Sequence, residues 1–157
     1  MIINLRPPDA AGPLRIGASR QDTLDALERL GAPAPFGRVT VDLPGLAVDR
    51  PSGLFIGAHF DAQDRLEAIE LGRPGKTADD EVRYDGLDVF TTPALGLVAH
   101  LRQRTPVVEE EDGHAFTAPD LLVSFWRPTV PETPDDEEGR YFASVLLARP
   151  GYYDEPD

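Results

Sequence analysis

The chain has 157 residues, 41% of them hydrophobic, and a domain near this size buries roughly 70% of the surface its unfolded form exposes, so one compact body is expected. Its 28 acidic residues against 15 basic ones give a net charge of −13, which repels nucleic-acid phosphates and anionic lipid headgroups and argues against direct binding to either. The absence of cysteine excludes a disulfide framework, thiolate zinc sites and thiol chemistry.

No apolar run approaches the roughly 18 residues of a membrane span, and residues 1–8 lack a charged leader followed by an apolar core. A cytoplasmic location without membrane contact is therefore expected. Residues 12–16 lead into a first helix. Ser19 is a good N-cap with Asp22 three positions on, Leu24, Leu27 and Leu30 follow at i, i+3 and i+6, and Gly31 and Pro33 stop the helix. Residues 39–41 and 46–48 read as short strands around a Pro44-Gly45 turn. Residues 55–60 and 66–71 form a hairpin about residues 61–65. Ile56, Ala58, Phe60, Ile69 and Leu71 face the core there, while Gly57, His59 and Glu70 face away.

A polar linker follows at 76–84, and the same order of signals returns after it. Residues 87–90 open the second stretch, Thr92 caps a helix with Pro93 at its first position, and Ala94, Leu97, Val98 and Leu101 mark one face. Gly96 weakens that helix by about 1 kcal/mol relative to alanine. Residues 121–126 and 141–147 make a second hairpin, whose connection at 127–140 is too rich in proline and acidic residues to be a strand. The tail at 152–157 is expected to fray. Leu14, Ile16, Ser19, Leu24, Ala26 and Pro33 recur as Leu87, Val89, Thr92, Leu97, Ala99 and Pro106, a shift of 73 (87 − 14). Ile69-Glu70-Leu71-Gly72-Arg73-Pro74-Gly75 returns as Val145-Leu146-Leu147-Ala148-Arg149-Pro150-Gly151, a shift of 76 (149 − 73). Residues 12–75 and 85–151 thus read as tandem copies of one helix plus antiparallel meander. The expected fold is α+β, with the sheets side by side or joined and both helices on one face.

Ile16-Gly17-Ala18-Ser19, the Leu-rich helix closed by Leu30-Gly31-Ala32-Pro33, and Phe60-Asp61-x-x-Asp64-Arg65-Leu66-x-x-Ile69-Glu70-Leu71 carry a resemblance. The unit is similar to the helix-plus-meander of beta-lactamase inhibitory protein and of small outer-membrane assembly lipoproteins. The resemblance covers roughly residues 14–75 and, more weakly, 87–151. It implies a sheet used as a protein-binding surface. With no lipidation cysteine and no disulfide pair, secretion, membrane assembly and beta-lactamase inhibition do not carry over, and neither does any site residue.

Catalytic constellations are absent from the pattern. His59 lies two residues from Asp61 and, with Glu67 or Glu70, offers mixed nitrogen and oxygen donors. No helix motif of the H-E-x-x-H kind accompanies it, so His59 reads as a half-exposed strand residue and no metal or other cofactor is expected. His100 falls within the second helix and His114 in an acidic loop. Ser124 and Ser144 lie mid-strand and not on a sharp nucleophile turn, and Gly72-Arg73-Pro74-Gly75 lacks the lysine and following helix of a phosphate loop. No catalytic residue is assigned.

Two features suit binding better. Acidic clusters fall in connections: Asp79-Asp80-Glu81, then Glu109, Glu110, Glu111 and Asp112, then Asp135, Asp136, Glu137 and Glu138. Such clusters attract a basic partner, although loops that only keep the chain soluble have the same composition. The second hairpin is also apolar on both sides, with Leu121, Val123 and Phe125 on one and Leu122, Trp126, Phe142 and Leu146 on the other. Either the second side packs against the other copy, or it is a contact surface anchored by Trp126. The reading is a non-catalytic acidic binding module, most simply an inhibitor or immunity-type protein that neutralises a basic enzyme, toxin or nuclease. The alternatives are a hydrolase or small-ligand-binding protein with a pocket between the copies around His59, Asp61 and Trp126, and a structural module that pairs with itself as a homodimer.

Overall fold

Two four-stranded antiparallel meanders meet edge to edge and make the larger of two sheets. The computed structural model describes residues 1–40, 43–75, 79–133 and 136–152. The chain starts with β1 (Ile2–Arg6), β2 (Ala10–Ala11) and β3 (Leu14–Arg15), followed by helix α1 (Arg20–Glu28). The first meander is β4 (Ala34–Thr40), β5 (Leu43–Asp49), β6 (Phe55–Phe60) and β7 (Leu66–Gly72). Next come β8 (Glu81–Tyr84), β9 (Leu87–Asp88) and helix α2 (Ala94–Arg102). The second meander is β10 (Val108–Glu110), β11 (Ala115–Ala118), β12 (Val123–Trp126) and β13 (Ser144–Ala148). The larger sheet has the order β10-β11-β12-β13-β7-β6-β5-β4, antiparallel throughout, and the smaller has the order β3-β2-β1-β8-β9, with β1 and β8 parallel. The fold is α+β.

Local chemistry explains most of these elements. At the start of α1 the Ser19 hydroxyl accepts from the Asp22 N–H at 3.1 Å, satisfying one donor the helix leaves open. The buried face of α1 is Thr23, Ala26 and Leu27, with Leu30 buried just past its end, while Leu24 is only half-buried. The apolar pattern alone puts Leu24 inside. Thr23 takes the buried place because its hydroxyl donates to the Ser19 carbonyl at 2.8 Å, which removes the penalty of burying it. In α2 the face of Ala94, Leu97, Val98 and Leu101 is buried as the spacing predicts. Its N-cap is Pro93, with no side-chain cap, so Thr92 does not cap it. Asp88 instead accepts from the N–H groups of Phe90 and Thr91 at 2.9 and 3.3 Å in the turn before it. The β6–β7 turn is held by Asp61, whose carboxylate accepts from the N–H of Gln63 at 2.9 Å and of Arg65 at 3.0 Å, with Asp64 at φ 61°.

Two expectations about the connecting segments are corrected as well. Pro44 and Gly45 lie inside β5 and are not its turn; the expected strand at 39–41 runs into residues 41–42, which lie outside the described residues. A Cβ on Gly45 would sit 2.7 Å from the carbonyl oxygens of both Ala58 and Phe36. Glycine is there for close backbone approach, which sequence cannot distinguish from a turn. The linker expected at 76–84 likewise contains a strand, since residues 81–84 form β8 in register with β1 from Ile2 opposite Glu81 to Leu5 opposite Tyr84. Asp80 just before it is buried. It accepts from Arg50 Nε at 2.7 Å and from the Ser52 hydroxyl at 2.6 Å, and the terminal ammonium lies 3.4 Å away. A charge run that reads as solvated thus supplies a buried tie.

One continuous core cluster contains Ile3, Leu5 and Val82 from the small sheet, Leu27 and Leu97 from the two helices, and Ile56, Leu71, Phe125 and Val145 from the large one. The two meanders join where β13 pairs with β7, with Val145 opposite Leu71, Leu146 opposite Glu70, and Leu147 opposite Ile69. One face of the large sheet therefore closes the core. The other face carries the remaining alternate residues of every strand.

Candidate interaction surface

Directly opposite residues in an antiparallel sheet point to the same side, so the strand registers define the outer face row by row. One row crosses all eight strands as Val108, Thr117, Ser124, Leu146, Glu70, Gly57, Ala47 and Ala34. A second row runs Glu110, Ala115, Trp126, Ser144, Gly72, Phe55 and Asp49. Most of these side chains are small. The core rows on the opposite face, such as Phe116, Phe125, Val145, Leu71, Ile56 and Val48, are large and buried. Trp126 is 42% exposed and Val108 50% exposed, whereas Leu146 and Phe55 are half-buried. Asp49, Glu70 and Glu110 are the charged residues of these two rows, so the rows carry acids and no lysine or arginine.

At the β4–β7 end the aromatic residues cluster. The Phe36 and Phe55 ring centroids are 4.9 Å apart at an interplanar angle of 64°, and Phe36 and His59 are 5.5 Å apart at 62°. His59 Nε2 stands 3.5 Å from Glu70 Oε1. A Cβ on Gly57 would lie 2.9 Å from Cε2 and 3.1 Å from Cζ of Phe55, so the missing side chain lets that ring rest on the sheet. Gly57 is directly opposite Glu70, which puts Phe55 and Glu70 on the same face of neighbouring strands.

The expected contact residues are dispersed. Trp126 and Leu146 are on the outer face. Phe142 is not: it is fully buried, its ring 5.3 Å from Phe125 and 5.9 Å from Phe116 by centroid. It belongs to the core because it precedes β13, where the chain passes over the inner face before pairing begins. Leu122 is likewise no strand residue; it has φ 53° at the end of a 3-10 turn. Glu109 and Glu110 form edge strand β10 instead of a loop. Glu109 faces Phe116 on the inner side, and Glu110 faces Ala115 on the outer. Glu111 and Asp112 follow at the positive φ values of 52° and 55° and are exposed. Asp136 accepts from the Glu132 N–H at 3.1 Å, Glu137 pairs with Arg140 at 3.3 Å, and Glu138 is exposed. Asp135 lies outside the described residues.

His59, Asp61 and Trp126 do not converge on a pocket. His59 and Trp126 lie on β6 and β12 with β7 and β13 between them, roughly 14 Å at the usual strand spacing, and Asp61 is committed to its turn. A cleft of about 760 Å³ opens elsewhere, near Arg73, Asp80, Glu81, Asp88 and Glu138. Its carboxylates are largely spoken for: Asp80 by Arg50 and Ser52, Glu81 by Arg83, and Asp88 by the turn before α2. The Arg50 hydrogen bond leads the effects that hold the Asp80 carboxyl at about 2, against burial, which pushes it up. Among the described residues no group of three or more His, Asp or Glu side chains is arranged to hold a metal ion.

Two residues with structural consequences escape sequence reading. Arg127 is buried and donates from Nε to the Gly113 carbonyl at 2.9 Å and from Nη1 to the Gly139 carbonyl at 3.0 Å, bracing the long connection before β13. Burial lowers its pKa, with Glu109 opposing that effect. Phe55 was the other, and the alternation Phe55, Gly57, His59 held its only signal.

No protein-family model matches the chain, and no curated protein matches it. Among solved structures, the chain is similar to the uncharacterized protein yfeY from Escherichia coli, with a TM-score of 0.46 and 11% identity over 95% of this chain and 100% of that one.

Proposed function

We propose that the chain is a non-catalytic protein-binding module that uses the outer face of its eight-stranded sheet, and that its partner is a basic protein which it inhibits or neutralises. The observation that carries this is the composition of that face: small side chains across the rows, Trp126 and the Phe36–Phe55 pair standing out of them, and acids as the charged residues. Aromatic anchors on a flat, low-entropy surface contribute most of the energy in protein interfaces. Acidic groups beside them, in a molecule of net charge −13, steer a cationic partner to the site.

The platform is accounted for by tandem duplication of a helix and a four-stranded meander. A shift of 76 takes Ile69 to Val145 and Leu71 to Leu147. Under that shift the pairs Leu71–Val145 and Ile69–Leu147 exchange, with Glu70 and Leu146 facing each other at the centre. Joining two like edges in this way gives a surface twice as wide without a second core. The cytoplasm is the expected compartment.

The test is capture from a lysate on the immobilised protein at low and high salt, repeated with Trp126→Ala and Phe55→Leu. A partner that is retained by the native chain, released by salt and lost with Trp126→Ala supports the reading. Equal retention by native and Trp126→Ala protein overturns it. Association of the chain with itself through the same face would appear as a dimer in sedimentation, abolished by Trp126→Ala, and would replace the basic partner.

A further inference from the structure

We propose that the notch formed by Phe55, Phe36, His59 and Glu70 on the outer face is a receptor for one arginine side chain of the partner. This deepens the binding reading above and rests on it. Because position 57 has no Cβ, the Phe55 ring lies on the backbone there, with Cε2 and Cζ within 3.1 Å of where that atom would be. The Cε2–Cζ edge of the ring is thereby seated against the strand, and the residue stays half-exposed. Phe36 packs against it with the ring centroids 4.9 Å apart at 64°, which limits its movement toward β4.

Glu70 is the residue directly opposite Gly57 and shares the outer face with Phe55 on the neighbouring strand. A planar guanidinium stacks on an aromatic face and at the same time donates two hydrogen bonds to a carboxylate at its edge, a combination an ammonium group meets less well. His59 Nε2 lies 3.5 Å from Glu70 Oε1, so the incoming guanidinium would share the carboxylate with the imidazole. Aromatic cover of a strand glycine explains Phe55 and Gly57 by themselves. It does not explain a carboxylate on the same face of the neighbouring strand, on rows whose other charges, Asp49 and Glu110, are also negative.

The experiment is a titration of the isotope-labelled protein with N-acetyl-L-arginine amide, following the amide signals of Gly57, His59 and Glu70, with the neutral isostere N-acetyl-L-citrulline amide as control. Saturable shifts at those three amides with the arginine probe, absent with citrulline, are expected. Glu70→Gln should weaken the arginine response at least fivefold, and Phe55→Leu, which keeps an apolar cover on Gly57, should do the same. Equal responses to the two probes, a linear response without saturation, or an unchanged response in both variants overturns the receptor. The capture experiment separates the two claims. Partner capture that is lost with Trp126→Ala yet indifferent to Glu70→Gln and Phe55→Leu retains the binding face and rejects the notch. A saturable arginine site on a protein that captures no partner does the reverse.

Discussion

Replacing Asp80 by asparagine should destabilise the protein by on the order of 2 kcal/mol at neutral pH, and the loss should vanish in acid. The carboxylate has only 4% of its side chain exposed and is tied to Arg50, Ser52 and the terminal ammonium. These partners, the Arg50 hydrogen bond foremost, hold its pKa at about 2 instead of 3.8. At about 1.4 kcal/mol per pH unit of displacement, that depression corresponds to roughly 2 kcal/mol of preferential stability for the folded, ionised state. The sign follows from the depression: the contribution is complete above about pH 4, where the unfolded carboxyl is also ionised, and drains away as pH falls toward about 2. Urea unfolding of native and Asp80→Asn protein across pH 7 to 2 reads both quantities. A difference under about 0.5 kcal/mol at pH 7, as an exposed ion pair would give, refutes the buried tie, as does a difference that persists undiminished at pH 2.

Leu27→Ala and Leu97→Ala, each removing a fully buried helix residue, should each cost about 2 to 5 kcal/mol in chemical denaturation; values under about 0.5 would refute the assigned faces. Arg127→Ala should cost about 2 to 3 kcal/mol through two charge-assisted hydrogen bonds, and should expose the 127–143 connection to limited proteolysis, whereas unchanged cleavage would show the brace to be idle. Gly45→Ala should destabilise by at least about 1 to 3 kcal/mol, because a methyl group there meets two carbonyl oxygens; a neutral result would mean that β5 lies farther from its neighbours. Melting curves with and without a chelator should coincide, and a midpoint lowered by chelation and restored by zinc or calcium would contradict this.

The sequence by itself determined the features that depend on neighbours along the chain. Both helices were legible because apolar spacing, a serine cap and stop signals all act within a few residues, as in Ser19 with Asp22 or Ala94 with Leu97, Val98 and Leu101. The Asp61–Arg65 turn was legible because an aspartate bonds its own local backbone. Only the tertiary structure decided whatever depends on residues far apart. Asp80 reads as solvated until Arg50, thirty positions earlier, and the chain terminus close around it. Gly45 reads as a turn until the backbones of β4 and β6 approach it from both sides. Phe142 reads as a contact residue until the chain is seen to cross the inner face, where Phe116 and Phe125 enclose it. The outer surface was the least legible of all, because which side chains share a row is fixed by strand register, and register is set by pairings that a linear sequence does not state. Trp126 was visible as an unpartnered aromatic. Phe55 and Glu70 share a face only once β6 pairs with β7 and sets Gly57 opposite Glu70.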